Sequence, residues 1–559
     1  MKILSKITLT ALLPLIIITL FACGMTPGGI GESHAESKDL TSQPEESSRE
    51  DNYSSKEPEL SSDSSEDSSI TDQSSGEESS GEESEIEKPV ITYFGVNVNG
   101  KKLEWEIREN LITLTLPYTF NKADLKNKKP EITADGVISG LEDGFADLTK
   151  EFELTVTNEY GVSNYYTVKT DYKYLSLPVV FIEVEDGKEI LSKEIDLACN
   201  VRIVTDYCEG RFPFIEGNAV VHGRGHYSWQ FDKKSYTIKF DQKQNVLGLG
   251  KAKRWVLTAN YTDKSLLQNF LALEMAKELD NLDFCVTQYP VDLFVNGVYR
   301  GVYTLGEKVE VRNNRIELDT GNPDETAFLI EIGGGEEGDK AGVDYFNIGL
   351  LKALTINYPK KDEITDKQRE YILDYLKKAD QAVRDLENYE DFIDIDSLID
   401  WAILYEFTSN LDGVFRRSTY IYKDAGGKLK MGPVWDFDLA FGHFLKYEEN
   451  TFACIGGDDK YVPYNWMNIL YKDESFRQRL RERWDEVKDE LYKNTIDKLE
   501  YMAGLTSPSA KLNFQVWDIL NTRVLSNPRN WNKWITWEAH IQRLYDYLEA
   551  RYDWLDKNL

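Results

Sequence analysis

Apolar and polar residues alternate along much of the chain between residues 89 and 172. The runs LITLTL at 111–116, FELTVT at 152–157 and YYTVKT at 165–170 each place every second residue on one face, and Gly and Asn residues separate them. A period of two is typical of β-strands, and a series of short strands favours a β-sandwich. We therefore predict a small all-β domain of immunoglobulin-like architecture at residues 89–172. A spacer role is the simplest interpretation, and weak glycan binding is the alternative.

Strand and helix patterns both occur after residue 177, and this mixture predicts an α+β fold for residues 177–559. The run LPVVFIEV at 177–184 predicts a strand, and the segment 291–307 predicts a β-hairpin around the turn Asn296-Gly297. Three further segments have apolar residues at helical spacing and are predicted as helices: 264–279, 366–388 and 395–409.

The predicted helix at 264–279 follows Asp263, a residue type that accepts hydrogen bonds from the first turn of a helix. The end of the chain, residues 466–559, also has a helical pattern and is rich in Trp and Tyr. We expect these aromatic side chains to pack in a core, with an aromatic sugar-binding surface as the alternative.

The stretch MGPVWDFDLAFGH at 431–443 is apolar apart from two carboxylates and a final His, and the carboxylates are Asp436 and Asp438. If residues 431 to 438 form the returning strand of a hairpin, residues two apart share a face, and Phe437 and Leu439 point into a core. Two unpaired carboxylates on an apolar segment are costly, and a divalent cation such as Mg²⁺, Mn²⁺ or Ca²⁺ would pair with both. A surface turn, or two acids that cap a following helix, is the alternative interpretation.

A third carboxylate, Asp412, is expected near this pair. It follows directly on the predicted helix at 395–409, and a predicted strand at 418–422 and a turn at 424–428 connect it to the apolar stretch. The helix end and the hairpin therefore bring Asp412 and Asp436 together.

A Gly-rich turn that contains Arg224 precedes the segment KKSYTIKF at 233–240. Arg and Lys at the entrance of a strand are able to hold phosphate oxygens, and Lys234 lies at that entrance. Exposed Lys residues are also common at strand ends, so this turn alone is not specific. Glu307, at the end of the predicted hairpin, is placed to pair with Lys234 or Lys239 across a sheet, or to stay solvated.

The chain has 559 residues, enough for two or three domains, and a formal net charge of −32. Residues 24–88 hold 19 Asp or Glu and 4 Lys or Arg, a net of −15, in a segment rich in Ser and poor in apolar residues. Such a segment buries too little surface to offset its ordering entropy, so we expect a disordered stalk. Its Ser residues beside acids are candidate phosphorylation sites, and a solvated tether is the simpler interpretation. The remainder is only moderately acidic, and no nucleic-acid partner is expected.

Residues 1–23 have the composition of an export signal. Lys2 and Lys6 precede an apolar run, and the segment closes with LFA before Cys23. A small residue directly before Cys resembles a bacterial lipobox, in which the Cys thiol is lipidated and becomes the mature N-terminus. We therefore expect an extracytoplasmic lipoprotein that is anchored through Cys23 to the outer face of the cell membrane. An ordinary signal peptide or a short membrane span is the alternative.

The four other cysteines, Cys199, Cys208, Cys285 and Cys454, do not show the spacing of a zinc site with one another or with His. A disulfide between Cys199 and Cys208 is compatible with an extracellular location. Buried free thiols are at least as compatible with the sequence.

The region from Leu177 to Leu559 resembles the CotH kinase family, which is named for a spore-coat protein. Short motifs carry the resemblance in the family's order, and none of them is decisive alone. They are Gly223-Arg224-Gly225-His226, Ser228-Trp229, Lys233-Lys234-Ser235-Tyr236, Trp255, Asn260, Asp263, Asn269, the run 296–303, Glu307, Glu406, Asn410, Asp412-Gly413, the run 432–438 and Gly442. His226 departs from the pattern, since relatives often carry Asn there.

The resemblance implies an atypical kinase-like fold and ATP-dependent phosphorylation of Ser in coat proteins, with Mg²⁺ or Mn²⁺ as the metal. The residues with implied roles are Asp412 for catalysis, Arg224, Lys234 and Glu307 for the nucleotide, and Asp436 and Asp438 for the metal. The chemistry of these residue types agrees, because phosphoryl transfer needs a cation, a positive side chain on the phosphate oxygens and a carboxylate that orients the attacking hydroxyl.

The expected function is therefore a surface-anchored, extracytoplasmic Ser/Thr kinase that acts on Ser-rich proteins. A surface binding or assembly protein that uses the same scaffold for polysaccharide, the cell wall or a coat component is the alternative. The predicted anchor, stalk and aromatic residues fit that alternative as well. A glycoside hydrolase fits less well, because Asp436 and Asp438 are too close in sequence to straddle a sugar from opposite faces.

Overall fold

The computed structural model describes residues 87–98, 100–117, 120, 122–173, 176–205, 211–321, 324–334, 345–444, 450–455, 462–524, 527–528 and 530–559. The predicted export signal with Cys23 and the stalk up to residue 86 lie outside these residues. Cys208 also lies outside them, while Cys199 is buried with a free thiol, as the alternative to a disulfide expects. Within the described ranges, no helix combines the length and the apolarity needed to cross a membrane.

Helices and strands both occur, so the fold class is α+β. The strands are β1 (Ile91–Val98), β2 (Lys101–Glu104), β3 (Glu106–Arg108), β4 (Leu111–Pro117), β5 (Glu131–Ala134), β6 (Val137–Ser139), β7 (Phe152–Thr157), β8 (Ser163–Lys173), β9 (Val179–Val184), β10 (Leu197–Val204), β11 (Ile215–Arg224), β12 (Ser235–Gln244), β13 (Ala252–Thr258), β14 (Gln288–Val295), β15 (Val298–Gly306), β16 (Phe328–Ile332), β17 (Phe346–Ile348), β18 (Leu351–Tyr358), β19 (Thr419–Lys423) and β20 (Lys430–Met431). The α-helices are α1 (Gln268–Ala276), α2 (Asp366–Asp385), α3 (Ile395–Thr408), α4 (Trp466–Leu470), α5 (Glu474–Val516) and α6 (Trp537–Asn558).

The strands β1 to β8 form an all-β region around an apolar core. One sheet has the order β2-β1-β5, and the other has the order β3-β4-β8-β7-β6. Phe94, Trp105, Ile112 and Leu154 are buried in the core of this region. The predicted all-β region is therefore present, whereas its immunoglobulin-like architecture and its boundaries at residues 89 and 172 stay predictions.

The strands β9 to β15 close into a barrel in the order β10-β11-β12-β13-β15-β14-β9. β9 completes the closure, because it pairs with β10 on one side and runs parallel to β14 on the other. Alternating side chains fill the interior, among them Val201, Ile238 and Trp255. β14 and β15 form the predicted hairpin, and both Asn296 and Gly297 have positive φ, as a tight two-residue turn between strands requires.

A second sheet in the order β17-β18-β16-β19-β20 shares the largest apolar core with the helices. α3 lies inside this core, since every residue of the helix except Asp396 is buried. The helical spacing predicted α2 and α3 to within three residues at either end. The predicted helical pattern near the C-terminus is also present in α4 to α6, where aromatic side chains such as that of Trp484 pack in the core.

Two predicted elements differ from the structure at their ends. The helix predicted at 264–279 starts only at Gln268, because Asp263 accepts the backbone N–H groups of Ser265 and Gln268 and holds the intervening residues in a turn. The strand predicted at 431–438 ends at Met431. Pro433 has no N–H to continue a ladder, and Asp436 has a φ of 68°, which is not an extended conformation.

Candidate active site

A cleft of about 1300 Å³ lies between one end of the barrel and the second sheet. The turn after β11, the segment between β13 and α1, the loop after α3 and the loop after β20 all reach it. Of the residues singled out in the sequence, Arg224, Asp412, Asp436 and Asp438 line this cleft, whereas Lys234 and Glu307 are not among its lining residues.

The loop after β20 presents both of its acids to the cleft although it is not a strand. Asn410 donates from Nδ2 to the backbone oxygen of Asp436 at 2.9 Å, and Phe437 donates its N–H to Oδ1 of Asn269 at 2.8 Å. The side chain of Phe437 is fully buried, as predicted, and fixes the loop against the core. These contacts of the loop, rather than the alternation of side chains along a strand, keep Asp436 and Asp438 on the cleft side.

The carboxyl groups of Asp436 and Asp438 are in contact with each other. Desolvation within the cleft, followed by repulsion from Asp412, raises the pKa of Asp436, against the lowering effects of Ser418 and Arg224. Desolvation and then the charge of Asp436 raise the pKa of Asp438 well above its ordinary value. Charge on these groups is therefore unfavourable unless a cation compensates it.

Asp412 is presented by the loop that follows α3. Its Oδ1 accepts a hydrogen bond of 3.1 Å from Arg416, which also forms an ion pair with it. The next residue is Gly413, where an added Cβ would lie 2.8 Å from Nδ2 of Asn410 and from a ring carbon of Tyr405. The loop packs this closely on the end of α3 only because position 413 lacks a side chain.

A chain of polar side chains fixes the segment before α1 to the loop of Asp436 and Asp438. Thr262 donates to Oδ2 of Asp438 at 2.5 Å. Asn269 donates to Oδ1 of Asn260 at 3.0 Å, and its own oxygen holds the loop, as described above. These residues occur in the sequence motifs or next to them. The contacts of Thr262 with Asp438 and of Asn269 with Phe437 join positions more than 160 residues apart and were not predicted.

The predicted pairing of Lys234 with Glu307 is not found between these two described residues. Lys234 donates to the backbone oxygen of Trp229 at 2.7 Å and lies over the Trp229 ring. Glu307 instead forms an ion pair of 2.8 Å with Arg315 and accepts the N–H of Thr287 at 2.7 Å. In this arrangement Glu307 holds the chain that follows β15 and is not available to orient Lys234.

Lys233, the neighbour of Lys234, lines the cleft, but its ammonium group bonds to the fold itself. It is 2% exposed and donates to the oxygen of Val302 at 2.5 Å and to Oδ1 of Asn513 at 2.9 Å. Desolvation lowers the pKa of Lys233 to about 7. These bonds join the barrel to the end of α5, so Lys233 is a structural residue.

A group of basic side chains lines the cleft next to the end of β15. It comprises Lys308, Arg254 and Arg312, and the two arginines share one partner, Glu310, at 3.4 Å and 3.6 Å. Desolvation lowers the pKa of Lys308, and the neighbouring arginines, including Arg224, lower it further. An excess of positive charge in an enclosed site is suited to an anion such as a phosphate chain. Lys308 follows directly on Glu307 in the sequence.

Glu331 is a further acid in the cleft that the sequence analysis missed. It lies opposite Tyr420 in the pairing of β16 with β19, and it accepts from Nδ2 of Asn357 at 3.1 Å and from the Tyr420 hydroxyl. Desolvation is the main cause that raises its pKa. Arg224 lies over the ring of Trp435 and close to both Glu331 and Asp436. The one sequence signal was an acid within the apolar strand FLIEI.

A metal at the predicted position would have few ligands from the protein. Among the described residues, no group of three or more Asp, Glu, His or Cys side chains has the arrangement of a metal site. The available donors are the two carboxylates of Asp436 and Asp438. Mg²⁺ is often held by one or two carboxylates, with substrate phosphates and water as its other ligands. The contact of the two acids and their raised pKa values fit that mode of binding.

Comparisons with known proteins bear on the family. The comparison with curated proteins gave no match. A solved structure from Bacteroides thetaiotaomicron VPI-5482, provisionally described as a glycoside hydrolase, shares 14% identity over 29% of this chain, with a TM-score of 0.15. The chain spans about half of that structure's length, 54%, and a similarity this weak carries no argument.

A family model described as "CotH kinase protein" matches residues 221–555, which is more than half of the chain. The match includes Arg224, Asp412, Asp436 and Asp438, all of which line the cleft. The chain belongs to the CotH kinase protein family.

Proposed function

We propose that the chain is a metal-dependent kinase that transfers the γ-phosphoryl group of ATP to a Ser or Thr hydroxyl of a protein. The observation that carries the proposal is that Asp412, Asp436 and Asp438 converge in one cleft and share it with the basic group around Lys308. Phosphoryl transfer needs both kinds of side chain. Basic side chains neutralise the charge of the polyphosphate, and a carboxylate takes up the proton of the attacking hydroxyl.

Each side chain has a role that its position supports. Asp412 accepts the proton of the attacking hydroxyl, and Arg416 keeps its carboxylate oriented. Lys308 and Arg224 bind phosphate oxygens, since both are basic and line the cleft. Asp436 and Asp438 hold Mg²⁺ or Mn²⁺, which when bound neutralises the charge of the phosphates.

The contact between Asp436 and Asp438 counts against glycoside hydrolysis by this pair. The carboxyl groups of glycosidases lie about 5 Å or more apart on opposite sides of the scissile bond. Two carboxyls within hydrogen-bonding distance leave no room for a sugar between them. A polysaccharide-binding or assembly role without phosphoryl transfer remains the competing proposal, and the experiment below separates the two.

Extracytoplasmic action and lipid anchoring at Cys23 are also part of the proposal. They are supported by the sequence of residues 1–23, in which Lys2 and Lys6 precede an apolar run that ends in LFA and Cys23. A Cys23→Ala variant expressed in a bacterial host is expected to leave the membrane fraction, while the unaltered chain stays in it. Retention of the variant in the membrane would contradict lipid anchoring.

The test is a calorimetric titration of the purified chain with ATP, in the presence and absence of Mg²⁺ or Mn²⁺, beside an Asp436→Ala variant. We expect ATP binding that depends on the metal and is lost in the variant. A transfer assay with labelled ATP and a mixture of Ser-containing peptides then measures the chemistry. ATP binding that is absent under every metal would refute the kinase proposal and turn attention to polysaccharide ligands.

A further inference from the structure

Glu331 lies on the face of the second sheet that borders the cleft. Along β16, its neighbours Ile330 and Ile332 belong to the largest core and are inaccessible to solvent, whereas Glu331 lines the cleft. In the register of the sheet, Glu331 lies opposite Thr355 of β18 on one side and Tyr420 of β19 on the other. The strands on both sides therefore fix the position of this carboxylate.

The hydrogen bonds that Glu331 accepts come from neutral groups and leave its charge to be compensated by another residue. Asn357 donates to Oε2 at 3.1 Å, and the Tyr420 hydroxyl donates to the same carboxylate. Desolvation and the charge of Asp436 raise the pKa of Glu331, while these two bonds and the positive charge of Arg224 lower it. Because Arg224 belongs to β11 of the barrel, its attraction to Glu331 acts between the two walls of the cleft.

The guanidinium of Arg224 is held by contacts that leave its hydrogen-bond donors unused. It lies over the ring of Trp435, 5.4 Å from the ring centre, and the charges of Asp436 and Glu331 attract it. Among the residues that the structure describes, none accepts a hydrogen bond from this guanidinium. Contact with an aromatic ring does not consume the N–H donors of an arginine, so they remain available to a ligand with several oxygen atoms, such as a phosphate chain.

We propose that Glu331 is a positioning residue, whose carboxylate orients the guanidinium of Arg224 toward the phosphate oxygens of ATP. The inference rests on the proposed kinase function and adds the residue that orients one of its phosphate-binding side chains. When Asp436 holds the metal, its charge is compensated there, and Glu331 is the carboxylate that remains to attract Arg224. The sequence motifs implied such a role for Glu307 toward Lys234, but the structure does not pair those two residues.

The test is a calorimetric titration of the full chain with ATP in the presence of Mn²⁺, applied to the Glu331→Gln variant. Gln keeps an oxygen that accepts hydrogen bonds from Asn357 and Tyr420, but it carries no charge. Loss of a negative charge near a polyanion would by itself tighten binding, so positioning and simple charge repulsion predict opposite signs. We expect the Kd of ATP to rise by about 10-fold, as is typical of residues that act through one another. Unchanged or tighter binding overturns the inference.

An Arg224→Ala background shows whether Glu331 acts through the arginine. We expect Arg224→Ala to weaken ATP binding. Addition of Glu331→Gln to it should then change the Kd by less than about twofold, because the group to be oriented is missing. A second loss of about 10-fold in this background would mean that Glu331 acts independently of Arg224 and would overturn the inference.

The matched control is Glu363→Gln, which removes another carboxylate that lines the cleft. Glu363 is exposed and lies 3.6 Å from Lys360, so its loss should change the Kd of ATP by less than about twofold. Titration with Mn²⁺ alone separates positioning from metal binding. We expect Glu331→Gln to keep its Mn²⁺ affinity within about threefold, whereas loss of a group that serves the metal typically costs 10-fold or more. A loss of that size would make Glu331 part of the metal site and overturn the inference.

If Glu331→Gln does not fold, as measured by its Tm, Tyr420→Phe takes its place, because it removes one hydrogen bond to Glu331 and keeps the charge. This variant should also raise the Kd of ATP, and only when Arg224 is present; an unchanged Kd overturns the inference. An unaltered chain that does not bind ATP under any metal refutes the kinase proposal itself. ATP binding by the unaltered chain that the variants do not weaken refutes only the role of Glu331.

Discussion

The hydroxyl of Thr262 donates a hydrogen bond of 2.5 Å to Oδ2 of Asp438, and this contact joins the segment before α1 to the loop of the two acids. The bond favours the charged form of Asp438. Desolvation and the charge of Asp436 act in the opposite direction and raise the pKa of Asp438. We expect Thr262→Val to weaken Mn²⁺ binding by about 10-fold or more, because groups that orient metal ligands typically contribute that much. Calorimetric titration with Mn²⁺ measures the change.

The matched control is Thr262→Ser, which keeps the hydroxyl and is expected to bind Mn²⁺ within about threefold of the unaltered chain, less than the 10-fold or greater losses seen on removal of an orienting group. Equal affinities of the Val and Ser variants would show that the contact does not act on a metal site. The Tm of each variant, measured without metal, separates a loss of binding from a loss of stability.

The raised pKa of Asp438 also has a consequence for the pH dependence of stability. Without a cation, the native state binds a proton that the unfolded chain has already released above its ordinary pKa of 3.8. The stability that this proton contributes is fully present below that pH and is lost as the pH rises through the raised native pKa. Metal binding needs the charged form, so the increase in Tm caused by Mn²⁺ should grow as the pH rises from 3.8 through the raised native pKa of Asp438.

The Asp438→Asn variant identifies the share of this dependence that belongs to Asp438. It is expected to show a smaller effect of Mn²⁺ on Tm, and one that changes little with pH. A variant that responds to Mn²⁺ and to pH like the unaltered chain would place the titrating group elsewhere.

Replacement of the proposed catalytic acid should separate binding from chemistry. Asn at position 412 keeps an oxygen that accepts the hydrogen bond of Arg416, but it does not take up a proton. We expect Asp412→Asn to lower the rate of phosphoryl transfer by about 10²- to 10⁴-fold, the range typical of general acid–base catalysis. ATP affinity measured by calorimetry should stay within a few fold. A variant that keeps its rate would remove Asp412 from the chemistry.

Short sequence patterns predicted the helices and hairpins that depend mainly on interactions between residues close together in the chain. Thr365 precedes α2 and caps it, since its side chain and that of Gln368 form a reciprocal cap, and the apolar spacing of the helix was clear. The hairpin of β14 and β15 was equally clear from Asn296-Gly297. The two acids in the loop after β20 are two residues apart, and this spacing predicted a strand. The prediction was wrong, because the positive φ at Asp436 is not an extended conformation.

The parts of the site that were missed depend on contacts between distant segments. Lys233 and Lys234 are adjacent and chemically equal, but only Lys233 is buried, where it donates to the oxygen of Val302 in β15 and to Oδ1 of Asn513 in α5. Glu331 and Lys308 likewise gain their significance from neighbours in other strands and loops. Periodicity carries no information about such pairs, so the sequence motifs identified Arg224 and three of the acids that line the cleft but neither Glu331 nor Lys308.

Lys308 and Lys234 are the two candidates for the lysine that binds phosphate, and their variants can be compared directly. Lys308 lines the cleft beside Arg254 and Arg312, whereas Lys234 is bound to the oxygen of Trp229 and is not among the lining residues. We expect Lys308→Ala to raise the Kd of ATP by about 10-fold, since charge-assisted hydrogen bonds contribute about 1.5–3 kcal/mol. Lys234→Ala should change it by less than about threefold. The reverse order of effects would restore the assignment made from the sequence motif.

The ion pair of Glu406 and Arg551 is fully buried and should be needed for stability rather than for catalysis. Oε2 of Glu406 lies 3.0 Å from Arg551, and both side chains are inaccessible to solvent. The N–H groups of Ala453, Cys454 and Ile455 also donate to Glu406, so this one carboxylate joins α3, α6 and the loop between them.

Removal of the arginine leaves a buried carboxylate without its counter-charge. We expect Arg551→Ala to lower the free energy of unfolding by about 3–5 kcal/mol, as is typical when one partner of a buried pair is lost. The control is Lys493→Ala, which breaks the exposed pair with Asp497 and should cost at most about 1 kcal/mol. Urea denaturation of both variants measures the difference. Equal values would mean that the hydrogen bonds from the loop hold Glu406 without help from Arg551.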